Sequence, residues 1–361
     1  VYLLGVKLAG SYVGLFAALL AATNPLLIYY SAEGRTYALT TLLVSASFYH
    51  FFQSAQSSTI HHRPLNSWLY VLFTTLSLWT SYLAWIMVIV QGYYLLRRRN
   101  YRTLLQLCFS ALTLLFWLPS FFHSLQIGLS DASSVPGWGA VVGGTSLKAA
   151  ALTWVKFTLG RISFAPPALY AGVVALTFIL HAHILRQLKS VSPLLILWLA
   201  IIPLALLVSL FVPAYSYTRV LFVLPAYLLL LALGAPQTSF KLAGLLIVVQ
   251  LGCLAVFWFT PRFHHEDWSG LTQFLNSQPD SAVLMPSLRQ NPGLLYYGLS
   301  LPLSDSTSPA LTTPRIFYLK YVEGAFDSAQ LGPQSLANAG YTITSQRVFP
   351  GLALDVYEKQ Y

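Results

Sequence analysis

The stretch NPLLIYYSAEGRTYAL, from Asn24 to Leu39, combines residue types that suit the binding of an anion. We predict Ser31 as the N-cap of the helix that follows, which places Glu33 and Arg35 in its first turn. The helix dipole stabilises an acid there, but it does not stabilise a cation unless an anion binds beside it. Exposed backbone N–H groups together with a guanidinium therefore predict a phosphate site. The alternative is an arginine that reaches to lipid headgroups while Glu33 completes the cap.

Two further arginines occupy similar positions in the sequence. Arg219 begins an apolar run in YSYTRVLFVLP, and Arg161 precedes another in LGRISFAPP. We predict that all three arginines lie at the outer ends of helices and hold one anionic headgroup, with anchoring at the membrane interface as the alternative. Nearby tyrosines could stack on a sugar or donate to a phosphate, or belong to an interfacial aromatic belt. The residues that we assign to the ordering of this site are Glu33, Tyr30, Tyr37 and Tyr215.

The composition indicates which elements carry these residues. The chain has 361 residues, of which 56% are hydrophobic and only 8% are charged. Ordinary soluble domains have roughly 25% charged residues. The composition therefore excludes a typical cytosolic enzyme, a disordered protein and a soluble DNA-binding protein. The net charge of +10 does not indicate a nucleic-acid partner, because residues 1–260 hold 14 basic residues and two acids, whereas residues 261–361 hold 6 basic residues and 8 acids.

Nine apolar runs approach the roughly 20 residues that cross a bilayer. They cover about 11–29, 36–54, 66–81, 83–96, 102–120, 164–184, 193–212, 219–234 and 242–260. Residues 1–8 would be the end of an earlier helix, and the third and fourth runs form a tight helical hairpin at Thr80-Ser81-Tyr82. The shorter runs could instead be re-entrant or interfacial.

The loop charges predict the orientation of these spans. One set of loops holds nine basic residues and no acid: Lys7, Arg63, Arg97, Arg98, Arg99, Arg102, Arg186, Lys189 and Lys241. Basic loops are cytoplasmic, so we predict a multi-pass protein of the cell membrane with residues 261–361 outside the cytoplasm. The outer loop 121–163 belongs to the membrane core and includes an interfacial helix from Leu147 to Leu159.

Residues 261–361 read as a small α/β domain. A helix begins after Glu266 and Asp267, which we interpret as N-terminal acids rather than catalytic ones. Strands are predicted at AVLMP, RIFYLKY, YTITSQRVF and LALDVYE, with a helix near 327–339. The fold class is therefore an α-helical polytopic membrane protein, with about nine spans and a small C-terminal α/β extracytoplasmic domain. No histidine spacing predicts a metal site, and His181 and His183 are expected to be solvated or interfacial.

The run NPLLIYYSAEGRTYALTTLLVSASFYHFF resembles bacterial membrane glycosyltransferases related to protein O-mannosyltransferases and lipid A aminoarabinose transferases. In that family a proline, a Tyr-Tyr-Ser and a Glu-x-Arg-x-Tyr lie at the outer end of an early helix pair. Here they are Pro25, 29–31 and 33–37. The runs VYLLGVKLAGSYVGLFAALLAATNP, YSYTRVLFVLPAYLLLLALG and EDWSGLTQFLNS resemble further parts of the same family, so the resemblance covers nearly the whole chain.

The resemblance implies a C-type enzyme that takes a sugar from a polyprenyl-phosphate donor, without a cofactor, and passes it to a glycan, lipid or protein. It implies that Arg35 and Arg219 hold the donor phosphate and that Glu33 orders the site. The family's catalytic acid lies in a first outer loop, which would precede Val1, and no residue here matches it. We therefore expect either a fragment of an enzyme or an inactive relative.

Two other functions remain open from the sequence. A flippase for a lipid-linked saccharide would use the same cations, although transporters commonly show inverted repeats and charges within spans, and we find neither. A non-catalytic membrane scaffold would bind a partner through its outer domain.

Overall fold

The structure is a computed structural model that describes residues 1–56, 64–135, 145–307, 309 and 312–360. Arg63 lies outside the described residues. The chain divides into two compact units. The helical unit comprises Val1–Ser124 and Val142–Phe257, and the C-terminal unit comprises Leu125–Val141 and Trp258–Tyr361. The division after residue 257 lies three residues before the predicted boundary at 260.

Helices make up most of the first unit. They are α1 (Tyr2–Ala9), α2 (Ser11–Ala22), α3 (Pro25–Ser31), α4 (Tyr37–Gln56), α5 (Pro64–Thr80), α6 (Ile86–Arg97), α7 (Tyr101–Leu112), α8 (Leu118–Ser134), α9 (Leu147–Leu159), α10 (Pro167–Arg186), α11 (Pro193–Leu199), α12 (Ile201–Val208), α13 (Leu224–Gly234) and α14 (Phe240–Phe259). The helical fold class is confirmed. The stretch Leu147–Leu159 is also a helix, as predicted.

Among the described residues, two helices are long and apolar enough to cross a membrane, Pro167–Arg186 and Lys241–Phe259. Two bent pairs raise the number to four if each pair forms one span. These are α2 with α3, bent by 61°, and Tyr101–Phe116 with Leu118–Ser130, bent by 63°. Several other predicted spans are shorter or broken, such as 193–212, which divides at Ala200. The structure therefore supports helices that could span a membrane, in smaller number than the nine predicted.

The bend between α2 and α3 has a local cause. Proline cannot continue a helix but suits the first position of one, so Pro25 starts a new helix. Asn24 caps that helix, because its Oδ1 accepts from the N–H groups of Leu26 and Leu27 at 3.0 and 3.1 Å. The predicted run 11–29 is thus two helices.

The prediction that Ser31 caps the next helix is wrong. Ser31 is the last residue of α3, and its hydroxyl donates to the carbonyl of Ile28 at 2.7 Å. Helix α4 begins only at Tyr37. Asn24 starts α3, and this helix ends at Ser31, the residue that we assigned as the cap of the next helix. Glu33 and Arg35 consequently lie in the connecting loop and not in a first helical turn.

The core of the helical unit centres on α13, whose apolar side chains are buried on all sides. Gly234 at its end lets α10 approach closely, since a Cβ there would lie 2.6 Å from the carbonyl oxygen of Ile184. Large apolar side chains also cover the outside of the unit, including Phe116 at 85% and Phe211 at 84% exposure. Such a surface is consistent with association with a membrane.

The C-terminal unit carries a mixed five-stranded sheet of order β2-β1-β3-β5-β4. Its strands are β1 (Ser281–Met285), β2 (Leu303–Asp305), β3 (Arg315–Leu319), β4 (Tyr341–Phe349) and β5 (Leu352–Lys359). Helices α15 (Trp268–Asn276), α16 (Pro292–Tyr296), α17 (Glu323–Phe326) and α18 (Leu331–Asn338) accompany them. The predicted small C-terminal sheet is confirmed, but the three-residue β2 was missed. Asp267 caps α15 by accepting from Gly270 N at 2.9 Å, as expected of an N-terminal acid.

Candidate functional site

Three loops of the helical unit carry the predicted arginines. Arg35 lies between α3 and α4, Arg161 between α9 and α10, and Arg219 between α12 and α13. Loops held by packed helices commonly carry binding residues, because the scaffold fixes the position of each side chain.

The first two loops are fixed against each other through the start of α3. The buried Asn24 side chain donates from Nδ2 to the carbonyl of Phe157, in α9, at 2.8 Å. Gly160 follows α9 with φ of +82°, and a Cβ there would lie 2.7 Å from the Cβ of Pro25. Only glycine allows this conformation and approach at little cost. The residue after it, Arg161, is thereby held beside the tyrosines of α3.

Glu33 and Arg35 form an ion pair in the first loop, with Arg35 Nε 3.1 Å from Glu33 Oε1. The arginine side chain is 66% exposed, whereas that of the glutamate is only 17% exposed. The second carboxylate oxygen, Oε2, is buried and has no hydrogen-bond partner among the described residues. The pair therefore presents a guanidinium to the surface and keeps one inward acceptor available for a donor such as a hydroxyl.

Arg161 lies over an aromatic group. Its guanidinium carbon is 4.5 Å from the ring centroid of Tyr29, a cation–π contact. Tyr30 packs edge-on against Tyr29 at 5.0 Å and against Tyr37 at 5.2 Å. Tyr217 interacts with both Tyr30 and Arg161.

Electrostatic effects act on Arg161 in both directions. Burial, the largest single effect, lowers its pKa, but neighbouring groups outweigh burial, so the pKa is raised from its ordinary value. Those groups are Tyr217, Tyr30, Tyr29 and Glu33. Lys156 is a further cation nearby, and its pKa is lowered by burial and then by the like charge of Arg161. The site therefore keeps a charged arginine surrounded by hydroxyl groups.

Arg219 is half-buried in the third loop. Its Nη1 donates to the carbonyl of Ala214 at 3.1 Å, and its N–H donates to the hydroxyl of Ser216 at 3.3 Å. The guanidinium also interacts electrostatically with Arg35 and Tyr37. This proximity of two like charges is unfavourable unless an anion lies near both.

Tyr215 is positioned differently from the other predicted tyrosines. It is buried, and its hydroxyl lies 2.7 Å from that of Thr153 in α9. Its main-chain N–H donates to the hydroxyl of Ser209 at 3.0 Å. Tyr215 thus ties the third loop to α9 and contacts the arginines only indirectly.

The structure therefore brings together most of the predicted residues. The same region of the helical unit contains the arginines at 35, 161 and 219 together with Glu33, Tyr30 and Tyr37. We did not assign Tyr217 and Lys156 to the site from the sequence, because nothing in their spacing separates them from interfacial aromatics and surface cations. Three arginines and a lysine against one glutamate leave an excess of positive charge. Such an arrangement, lined by hydroxyl donors, suits a phosphate ester.

The expectation that His181 is solvated or interfacial is wrong. His181 is buried, and its Nδ1 lies 2.7 Å from the hydroxyl of Tyr227. Trp154 Nε1 donates to the same hydroxyl at 2.9 Å. These three residues join α9, α10 and α13. The described residues include no group of three potential ligands that could hold a metal ion.

No family model, curated protein or solved structure matches this chain. The functional argument therefore depends on the geometry of the site and on the sequence resemblance.

Proposed function

We propose that the protein is an integral membrane glycosyltransferase, which moves a sugar from a polyprenyl-phosphate-linked donor to a glycan, lipid or protein acceptor. Transfer takes place at the outer face of the cell membrane. The proposal includes the nine-span topology, with residues 261–361 outside the cytoplasm. The family resemblance suggests the reaction, and the charge distribution suggests the face.

The observation that carries the proposal is the convergence of three arginines from separate loops on one group of tyrosines. Arg161 lies over Tyr29, while Arg219 and Arg35 influence each other electrostatically. Ionisable groups beside membrane segments commonly mark a site. A lipid phosphate would occupy the positive region, and the tyrosine hydroxyls and the free oxygen of Glu33 would orient the sugar.

The reaction is a displacement at the anomeric carbon of the sugar. A carboxylate takes the proton of the acceptor hydroxyl, and the acceptor oxygen forms the new bond. The bond to the lipid phosphate breaks, and the phosphate leaves with the bonding electrons. Arginine side chains stabilise the negative charge that develops on this leaving group.

The test is sugar transfer in vesicles that contain the full-length protein. Arg35→Ala should lower transfer from a polyprenyl-phosphate sugar about 100-fold, since a group that stabilises developing charge is removed. Arg102→Ala, at the start of α7 and outside the site, is the matched control and should transfer normally. Near-normal transfer by Arg35→Ala would exclude the assignment of this residue.

The same vesicles separate the two alternatives. A flippase moves the labelled lipid between leaflets without forming a glycosylated product. A scaffold does neither, and its arginine variants then leave both measurements unchanged.

A further inference from the structure

A second cationic cavity lies in the helical unit, away from the arginine site. It has a volume of about 480 Å³ and lies at the end of α6 and the start of α11. Its lining residues are Tyr93, Tyr94, Arg97, Arg98, Pro193, Ile196 and Leu197. None of the residues assigned to sugar transfer lines it.

The cavity is positively charged at one side. Arg97 ends α6 and Arg98 follows it, with the guanidinium carbon of Arg98 5.6 Å from the ring centroid of Tyr94. No acid lines the cavity, and no described acid forms an ion pair with either arginine. A helix C-terminus favours cations, which explains a basic residue there but not the cavity that the two arginines line.

The remaining walls are apolar or aromatic. Pro193, Ile196 and Leu197 come from the first turn of α11, and Tyr93 and Ile196 are more than half exposed at the surface of the unit. A free phosphate would satisfy the arginines but leave these walls in contact with water. A ligand that is anionic at one end and apolar along its length would cover both.

We propose that this cavity binds an anionic phospholipid, with the phosphate at Arg97 and Arg98 and the glycerol and first acyl segments along Ile196 and Leu197. Basic pockets between helices on the cytoplasmic side bind such headgroups in membrane proteins. Both arginines belong to the acid-free set of loops that the charge pattern assigns to the cytoplasm. The proposal depends on membrane insertion and not on the transfer reaction.

Native mass spectrometry of the purified full chain in detergent tests this site. Phosphatidylglycerol and phosphatidylcholine with identical acyl chains are titrated separately. The wild type should bind one phosphatidylglycerol in preference to phosphatidylcholine. The double variant Arg97→Gln/Arg98→Gln should bind phosphatidylglycerol about 30-fold more weakly, as expected for the loss of two cations near a headgroup. Arg99→Gln/Arg102→Gln removes the same charge from nearby positions in the sequence that do not line the cavity, and should bind nearly as the wild type does.

A second variant keeps the charge and changes the space. Ile196→Trp fills the cavity and should also displace phosphatidylglycerol. This variant tests lipid binding at the cavity if the glutamine variant does not fold. Equal losses in the two glutamine variants, or full binding by Ile196→Trp, would overturn the proposal in favour of diffuse surface charge. Displacement of the lipid by an equal concentration of inorganic phosphate or glycerol 3-phosphate would overturn the assignment to a lipid.

Discussion

Two ion pairs join parts of the sheet in the C-terminal unit, whereas Arg161 and Arg219 of the helical unit contact uncharged groups. Lys320 Nζ lies 2.5 Å from Asp355 Oδ2, and Arg315 Nη2 lies 2.7 Å from Glu358 Oε1. Both pairs join neighbouring parts of the sheet. The buried Asp327 likewise serves the fold, since it accepts from three donors around α18.

In the helical unit the corresponding partners differ. Arg161 faces a tyrosine ring, and Arg219 donates to a main-chain carbonyl. Neither forms an ion pair with a described acid. The ion pairs and Asp327 of the C-terminal unit are partnered within the fold, whereas we expect Arg161 and Arg219 to bind a ligand. Variants of the two groups should therefore differ in what they change, activity or stability.

The largest effect is expected from the double variant Arg161→Ala/Arg219→Ala. Transfer from the lipid-linked donor should decrease about 1,000-fold, because two cations that stabilise the leaving phosphate are lost. The measurement is the initial rate of transfer in vesicles, with the unfolding midpoint recorded beside it. Arg161→Lys/Arg219→Lys keeps the charge and should recover part of the rate. A large loss of stability with unchanged transfer would contradict the comparison.

Asp327→Ala should have the opposite profile. Its carboxylate accepts from Tyr318 at 2.8 Å and from the N–H groups of Leu331 and Gly332 at 2.6 and 2.9 Å. Burial and then this carboxylate raise the pKa of Tyr318, so the tyrosine remains a donor. Loss of the acceptor should cost about 3 kcal/mol of the free energy of unfolding of the C-terminal unit.

Urea titration of the full chain, read by proteolysis within 261–361, measures this loss. Asp327→Asn keeps one acceptor oxygen and should lose less. If Asp327→Ala abolished transfer while the sheet stayed folded, the conclusion that Asp327 contributes to stability and not to activity would be wrong.

Asn24→Ala tests the packing that places the tyrosines. The variant loses the cap of α3 and the hydrogen bond to Phe157, which should cost about 2 kcal/mol. Transfer should decrease moderately, because the start of α3 also positions Tyr29 and Tyr30. Thermal unfolding and transfer are measured together. Asn24→Ser retains a cap but not the bond to Phe157, so its stability and transfer rate should be intermediate. Equal stability and transfer in both variants would show that the bond to Phe157 contributes nothing.

The smallest effect is expected for Arg315→Gln. Its side chain and that of Glu358 are 41% and 42% exposed. Exposed ion pairs contribute little, so the variant should lose less than about 1 kcal/mol of unfolding free energy and keep full transfer. A loss comparable to that of Asp327→Ala would show that surface charge in this unit matters more than its exposure indicates.

Local patterns located many elements closely. The run 242–260 is the helix Phe240–Phe259, and the strand predicted at RIFYLKY is Arg315–Leu319. Apolar length and alternation are properties of neighbouring residues, so they can be read directly. The same patterns misplaced the cap at Ser31, because Asn24 and Pro25 start a separate helix that ends at Ser31. They also missed the burial of His181, which depends on Tyr227 in another helix.

The sequence by itself determined the helical class, the small C-terminal sheet and the three arginines as the cations to examine, because composition and charge position need no knowledge of contacts. Only the tertiary structure decided which groups surround those arginines. Gly160 packs on Pro25, and Tyr217 joins Tyr30, across separations of more than a hundred residues. Such contacts follow from helix packing and a permitted backbone conformation at Gly160, and no local periodicity encodes them.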